Sequence, residues 1–204
     1  HIAIFKGGTF TWSFSDYVIE NEAVLQLLLQ LATEDSSPAV TAAITGNQGT
    51  VAYEQGASTG EYACVVIHSP DADEDKLMFS SILQELTLSM NPTANGGRLT
   101  ASGTFWSGYQ PVIGTEGTSA NATAVDYTQG FFDCTTMTIG GDNVVLSNFD
   151  VTISNPATRV GYETVNSIEA EPSSYMRGGM IEVTGNVSAK LDDNVTDTID
   201  DFRD

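Results

Sequence analysis

The side chains that could carry out catalysis in this sequence are two histidines and an unusually large number of carboxylates. His1 is the first residue and His68 follows the β-prone segment EYACVVI, so a Ser-His-Asp triad would have to use His68. A nucleophile elbow needs a strand, a sharp turn and a helix around the serine, and the sequence provides no such setting near a histidine. We therefore expect His68 to be a residue at a strand end and the protein not to be an enzyme.

The acidic run DADED, Asp71 to Asp75, resembles the start of a calcium loop but fails its later requirements. The position that needs glycine is Lys76, and the position that needs a bidentate glutamate is Ile82. Paired carboxylates are unavoidable in so acidic a chain and carry little weight for glycosidase chemistry. Neither GGD nor NGG opens a helix or precedes a phosphate-binding lysine. The sequence predicts no catalytic residues, no metal and no cofactor.

The two cysteines and three glycosylation sequons are weak signals. Cys64 and Cys134 lie far apart without a CxxC or Cys/His cluster, so we expect small buried apolar side chains, with a disulfide across the sheet as the alternative. The sequons at Asn121, Asn186 and Asn194 are interpreted as chance occurrences. Asn186 falls in the middle of a predicted strand, which argues against glycosylation there.

The charge balance excludes one class of function. The 204 residues include 27 Asp and Glu against 7 Lys and Arg, for a formal net charge of −20. Because such a surface repels phosphate, tight binding of nucleic acid through basic contacts is not expected. Similar compositions occur in proteins that work in concentrated salt, where counterions screen the repulsion between the protein's own charges. They also occur in ordinary acidic proteins. The longest apolar run, AVLQLLLQLA, is too short to span a membrane.

The length of 204 residues predicts one domain, residues 1–204, and apolar periodicity indicates that it is mainly β with one helix. TFTWSFS alternates aromatic and small polar residues, which is typical of a half-buried strand. ENEAVLQLLLQLATE has helical spacing, with Asn21 as a cap and an apolar stripe at Val24, Leu25, Leu28 and Leu31. Short strands are expected in TAAIT, TVAYE and EYACVVIHS. DADEDK is expected to be a loop.

Two hairpins and a closing strand follow. The first hairpin is predicted from a turn of Asn, Pro and Gly that is flanked by MFSSILQELTLSM and RLTASGTFW. In the first of these strands the apolar face is expected to carry Ile82, Leu86, Leu88 and Met90. In the second it is expected to carry Leu99, Ala101, Gly103 and Phe105. FFDCTTMTI and NVVLSNFDVTIS flank GGD, with Phe149, Val151 and Ile153 on one face, and NPATRV ends that strand. MIEVTGNVSAKL alternates cleanly. Residues 108–130 are expected to form a long loop, and residues 192–204 an acidic tail.

The order of these elements resembles the tail tube, or major tail, protein of long-tailed, non-contractile viruses. The resemblance rests on ELTLSMNPTANGGRLTASGTFWSGYQP, then TIGGDNVVLSNFDVTISNPATRV, and finally GMIEVTGNVSAKLDD. It implies an antiparallel β-sandwich or barrel-like fold flanked by one helix. It also implies a structural protein of the virion. Its copies would assemble into stacked hexameric rings, and the rings would form a channel for delivery of genome DNA.

The resemblance implies roles for two sets of residues. The polar side of the first hairpin is a candidate lumen or subunit-contact surface: Thr87, Ser89, Thr100, Ser102 and Thr104. A segment of the long loop is a candidate contact between rings: Gly114, Thr115, Glu116, Gly117 and Thr118. Implied partners are further copies of the chain, a tape measure protein, and tail terminator or baseplate proteins, with DNA passing through without specific binding. The acidity is consistent with a salt-loving host. The first alternative function is another extracellular β-sandwich, such as an adhesin, appendage or outer-layer subunit that binds a ligand or host surface. The second alternative is an acidic hydrolase.

Overall fold

The computed structural model describes twelve ranges of the chain. They are residues 10–19, 22–34, 39–42, 49–52, 63–67, 75–91, 97–108, 112–114, 137–139, 142–144, 146–160 and 174–190. The elements within them are β1 (Phe10–Val18), α1 (Glu22–Thr33), β2 (Ala39–Ala42), β3 (Gly49–Ala52), β4 (Ala63–Ile67), β5 (Asp75–Met90), β6 (Leu99–Ser107), β7 (Val112–Gly114), β8 (Met137–Ile139), β9 (Asp142–Val144), β10 (Leu146–Ser154), β11 (Ala157–Val160), β12 (Ser174–Arg177) and β13 (Glu182–Ala189). The prediction of a mainly β, antiparallel fold with one helix is confirmed for these ranges.

One large sheet organises the described residues. Its strand order is β1-β6-β5-β10-β13, and every neighbouring pair is antiparallel. The first half of the 16-residue strand β5 also pairs with β4 and β7. Smaller two-stranded pairings join β2 to β3, β8 to β9 and β11 to β12. The predicted hairpin around GGD is confirmed as the pairing of β8 with β9.

One face of this sheet is apolar because the alternating residues of adjacent strands come into register. Leu88 lies opposite Ala101 on one side and opposite Val151 on the other. Helix α1 packs on this face and buries Leu25, Leu28, Leu29, Leu31 and Ala32 against it. The predicted stripe missed Leu29 and Ala32, and it included Val24, which is only partly buried at the margin.

Aromatic side chains close the apolar face at β1. The ring centroids of Trp12 and Phe14 lie 5.7 Å apart, and Phe105 lies 5.9 Å from Trp12 and 6.1 Å from Phe14. Distances of this order are favourable for aromatic pairs. Beyond Phe14 the strand bulges at Asp16, whose φ of 53° is in the left-handed region and whose amide donates a hydrogen bond to Ser102 Oγ at 3.0 Å.

The predicted apolar face of β5 was wrong at Ile82, because a second bulge lies in β5. The register with β6 shifts between Leu83 and Glu85, so Leu83 joins Leu86 on the helix-covered face. Ile82, which had been grouped with Leu86, instead packs with Trp106 and Ala157 in a separate buried cluster. A bulge adds one residue to one strand and so reverses the alternation on one side of it.

Three further boundaries differ from the sequence predictions. Asp75 and Lys76, expected in a loop, are the first residues of β5. The segment expected to be loop from residue 108 onward contains β7, which pairs with β5. Asn155 and Pro156 end β10 as expected, but β11 follows immediately.

Several predictions fall outside the described ranges. They concern His1, Asn21, His68, Asn121, Cys134, Asn194 and residues 192–204. Cys64 lies in β4, but its side chain is not described, so the disulfide alternative stays a prediction.

Candidate functional site

The five hydroxyl residues singled out on the first hairpin lie on one face of the sheet. Thr87 is directly opposite Ser102, Ser89 is opposite Thr100, and Thr104 follows in the next row opposite Glu85. They alternate with Leu86, Leu88, Ala101 and Gly103, which point to the helix-covered side. The pleat therefore places all five on the side away from α1.

This surface continues across all five strands of the large sheet. Three rows of directly paired residues form it, and we call these thirteen positions the polar face: Ser13, Thr104, Glu85, Ser154 and Glu182; Ser102, Thr87, Thr152 and Thr184; Thr100, Ser89, Asp150 and Asn186. On β1 the third row is bordered by an apolar residue, because the partly buried Val18 lies opposite Thr100. Sequence alternation could indicate which residues of each strand are polar. It could not show that β10 and β13 extend the hairpin, because strand pairing is a long-range property.

Hydrogen bonds tie neighbouring strands together along the polar face. The hydroxyls of Thr87 and Thr152 lie 2.9 Å apart, and those of Ser13 and Thr104 lie 3.0 Å apart. Asn186 Nδ2 donates to Asp150 Oδ2 at 2.9 Å. Thr100 is buried, and its hydroxyl donates to the Ser89 carbonyl at 3.1 Å. Thr87, Ser89, Ser102 and Thr104 are partly exposed and thus accessible to a ligand or to solvent.

The charge of the polar face has one sign. Its thirteen positions include three carboxylates, Glu85, Asp150 and Glu182, and none of these positions is lysine or arginine. Within the described part of the chain, no group of three His, Cys, Asp or Glu side chains is arranged to hold a metal ion. The polar face thus presents hydroxyls and negative charge, so contact with water is more favourable there than contact with a phosphate group.

Comparison with known proteins identifies the family of a chain built in this way. The sequence model for the phage tail tube protein matches residues 6–204. The chain belongs to the phage tail tube protein family. None of the curated proteins compared with it matches the chain. Membership confirms the predicted resemblance to tail tube proteins, makes the protein a structural component of the tail tube, and locates it in the virion tail.

The outer strands of the sheet are the second notable feature of this tail tube protein. Neither β1 nor β13 has a partner on its outer side among the described residues. Residues 182–188 of β13 are all exposed, on both faces of the strand. A strand edge with free N–H and C=O groups is a template for pairing with another chain.

A small cavity lies at one end of the polar face. It has a volume of about 340 Å³ and is lined by Gln84, Glu85, Thr104, Ser154, Asn155 and Pro156. Asn155 is buried, and its Nδ2 donates to Glu34 Oε1 at 3.1 Å, while its Oδ1 has no hydrogen-bond partner. The lining contains no histidine or cysteine, and its ionisable group is the Glu85 carboxylate.

The candidate contact between rings is described only at its first residue. Gly114 is the last residue of β7 and lies opposite Asp75 of β5. Thr115, Glu116, Gly117 and Thr118 fall outside the described ranges. For the membrane prediction, the finding is that no helix among the described residues is long and apolar enough to cross a bilayer.

Proposed function

We propose that this tail tube protein assembles into hexameric rings that stack into a tube, and that the polar face lines the channel through which genome DNA passes. The carrying observation is the composition of that face, which spans five strands with hydroxyls and carboxylates and has no basic residue at any of its thirteen positions. The sequence resemblance supplies the ring size and the role in delivery.

Electrostatics favour this orientation of the sheet. Each Lys or Arg that pairs with a phosphate releases counterions and adds affinity, so a basic lining would hold DNA in place. Glu85, Asp150 and Glu182 act in the opposite direction, since they repel phosphate at short range. Hydroxyls that already bond to each other, such as those of Thr87 and Thr152, have fewer groups left to bind a passing strand.

Packing favours the same orientation. The other face of the sheet carries the apolar core and is covered by α1, so it cannot line a water-filled channel. In the proposed tube the polar face is innermost, the sheet forms the wall, and α1 lies outside it. The free edges of β1 and β13 would join neighbouring subunits into a continuous sheet.

Finer features of the proposal rest on the resemblance and on the charge. The tail would be long and non-contractile, the segment Gly114 to Thr118 would bridge rings, and the tube ends would meet tape measure and terminator or baseplate proteins. The net charge of −20 supports a host that lives in concentrated salt. Residues 1–204 would form a single domain that ends in an acidic tail.

Gold labelling of assembled tubes tests which face is innermost. Ser102→Cys places a thiol on the polar face, and Leu27→Cys places one on the exposed side of α1. Both changes are made with Cys64 and Cys134 replaced by serine, and that background without an added thiol is the control. Electron micrographs should show gold along the tube axis for Ser102→Cys and on the outer wall for Leu27→Cys.

Two results would contradict the proposal. The reverse placement of gold would show that the polar face is on the outside. Protein that stays monomeric at high concentration and in several molar salt would show that no tube forms at all.

A further inference from the structure

Exposed apolar side chains are concentrated at the two outer strands of the sheet. Five large apolar residues are exposed among those described: Tyr17 (48%), Leu27 (53%), Met180 (80%), Val183 (49%) and Val187 (52%). Tyr17 lies in β1, Val183 and Val187 lie in β13, and Met180 lies two residues before β13. Outer strands that expose apolar groups and free backbone groups are prone to uncontrolled association unless a partner covers them.

The exposed residues of the two strands lie on the same face. Tyr17 is opposite Ala101, while Val183 is opposite Ile153 and Val187 is opposite Phe149. Those three partners belong to the core or pack against it, so Tyr17, Val183 and Val187 lie on the helix-covered side of the sheet but beyond the reach of the helix. A second copy placed edge to edge would bring these apolar groups together on one side of the junction.

The direction of the strands determines how such a junction must form. Five strands that alternate in direction leave β1 and β13 running the same way. Rotation about a ring axis preserves that direction, so the edge of one subunit meets the next subunit's edge in parallel. A two-fold dimer would instead pair identical strands in antiparallel fashion and would not lead to a ring.

We propose that β13 of each subunit pairs in parallel with β1 of the next copy, and that Tyr17 packs against the stripe formed by Val183, Gly185 and Val187. This inference rests on the ring proposed above and specifies its contact. The stripe alternates two valines with a glycine, so it forms a shallow depression of the width of one residue. Among the described residues, Tyr17 is the exposed aromatic side chain at the opposite edge of the sheet.

The rows of the sheet indicate the register. The row that contains Val151, Leu88 and Ala101 begins at Gly185 on β13 and ends at Tyr17 on β1. If the row continues into the next subunit, Tyr17 lies beside Gly185 with a valine on either side. A stagger of two residues, as tilted strands in a barrel require, would place it beside Val183 or Val187. Each of these registers keeps Tyr17 on the stripe.

The same arrangement already occurs inside the subunit. Phe14 of β1 is paired with Gly103 of β6, and its ring occupies the space that a Cβ of Gly103 would need. An aromatic ring that covers a glycine on the neighbouring strand shields the backbone where a side chain is missing. The proposed contact repeats this pairing between subunits, one row further along β1.

Two charge substitutions and their mixture test the proposed contact. Tyr17→Asp damages only the β1 edge and Val187→Asp only the β13 edge. We expect each variant alone to lose ring formation, with self-association at least about tenfold weaker than that of the unchanged protein. An equimolar mixture should form heterodimers and nothing larger, because one undamaged β13 edge can meet one undamaged β1 edge. Sedimentation velocity distinguishes monomers, heterodimers and rings.

Controls separate this contact from general damage. Leu27→Asp adds the same charge at an equally exposed apolar residue outside the contact and should leave rings intact. Circular dichroism melts report whether each variant is folded, and Tyr17→Thr and Val187→Thr replace the aspartates if those variants unfold.

The outcomes are distinguishable. Rings formed by Tyr17→Asp or Val187→Asp alone would overturn the contact but not the ring. A mixture that stays monomeric, or loss of rings with Leu27→Asp, would also overturn the contact. Absence of rings from the unchanged protein would overturn both proposals.

Discussion

The ring of Phe14 lies where a side chain at Gly103 would have to be. A Cβ at Gly103 would lie 2.9 Å from Cε1 and Cζ of Phe14 and 2.9 Å from the carbonyl oxygen of Glu85. The two residues are direct partners across β1 and β6. The close contact joins an outer strand to the core through a single residue that has no side chain.

We predict that Gly103→Ala destabilises the subunit by about 1–3 kcal/mol, because the added methyl must displace either the ring or the backbone of β5. Urea unfolding of the monomer measures the change. Gly179→Ala is the matched control, since its Cβ would meet only Pro156 Cγ at 3.5 Å. Equal stability of Gly103→Ala and the unchanged protein would show that the strands can separate without cost.

We predict that Asn155→Ala weakens the connection between the helix and the sheet. Asn155 is 1% exposed and donates to Glu34, a 7% exposed residue with φ of 58° directly after α1. Loss of the amide leaves the Glu34 carboxylate without this donor in a buried place, which should lower the free energy of unfolding by about 1–3 kcal/mol. Glu34→Gln retains an acceptor oxygen and should cost less. Thermal melts of both variants decide the order.

We predict that assembly becomes stronger as salt concentration rises. Subunits with a net charge of −20 repel each other, and the Debye length falls from about 8 Å at physiological ionic strength to about 3 Å at 1 M. Light scattering across a sodium chloride series should show larger particles at higher salt. Glu182→Gln removes one carboxylate at the outer strand and should assemble at lower salt. Tubes that dissociate with added salt would refute this account.

We predict that β13 gains most of its protection against hydrogen exchange when rings form. In the subunit its residues 182–188 are exposed, and among the described residues they pair with β10 alone. Exchange of the amides of β13 should slow by at least about tenfold on assembly, whereas amides of the central strand β5 should change little. Mass spectrometry of deuterated monomers and rings measures both. Unchanged exchange in β13 would place the subunit contact elsewhere.

Local periodicity predicted the residues of the strands well and their partners less well. The alternation in TFTWSFS and in RLTASGTFW gave the correct faces, because each side chain direction follows from the pleat of its own strand. The grouping of Ile82 with Leu86 was wrong, since one extra residue in the bulge between Leu83 and Glu85 reverses the parity. Nothing in the composition of that segment marks the bulge.

The candidate surface was predicted in part. Thr87 and Ser102 could be assigned to a common face because their strands are close in sequence and pair directly. Thr152 and Thr184 could not, since their place in the same row as Thr87 depends on pairings with strands far away in sequence. Physical reasoning from one chain identifies the polar side of a strand more easily than the neighbours that complete a surface.

The outermost strand also has a consequence for how the protein must be handled. Because β13 pairs with a single strand in the described part of the chain and its apolar residues Val183 and Val187 are exposed, part of its stability would come from another molecule. Anything that binds only the native form stabilises it by mass action, so dilution would lower the melting temperature of the subunit even with its sequence unchanged. For such a protein, the concentration in the infected cell would act as a folding condition.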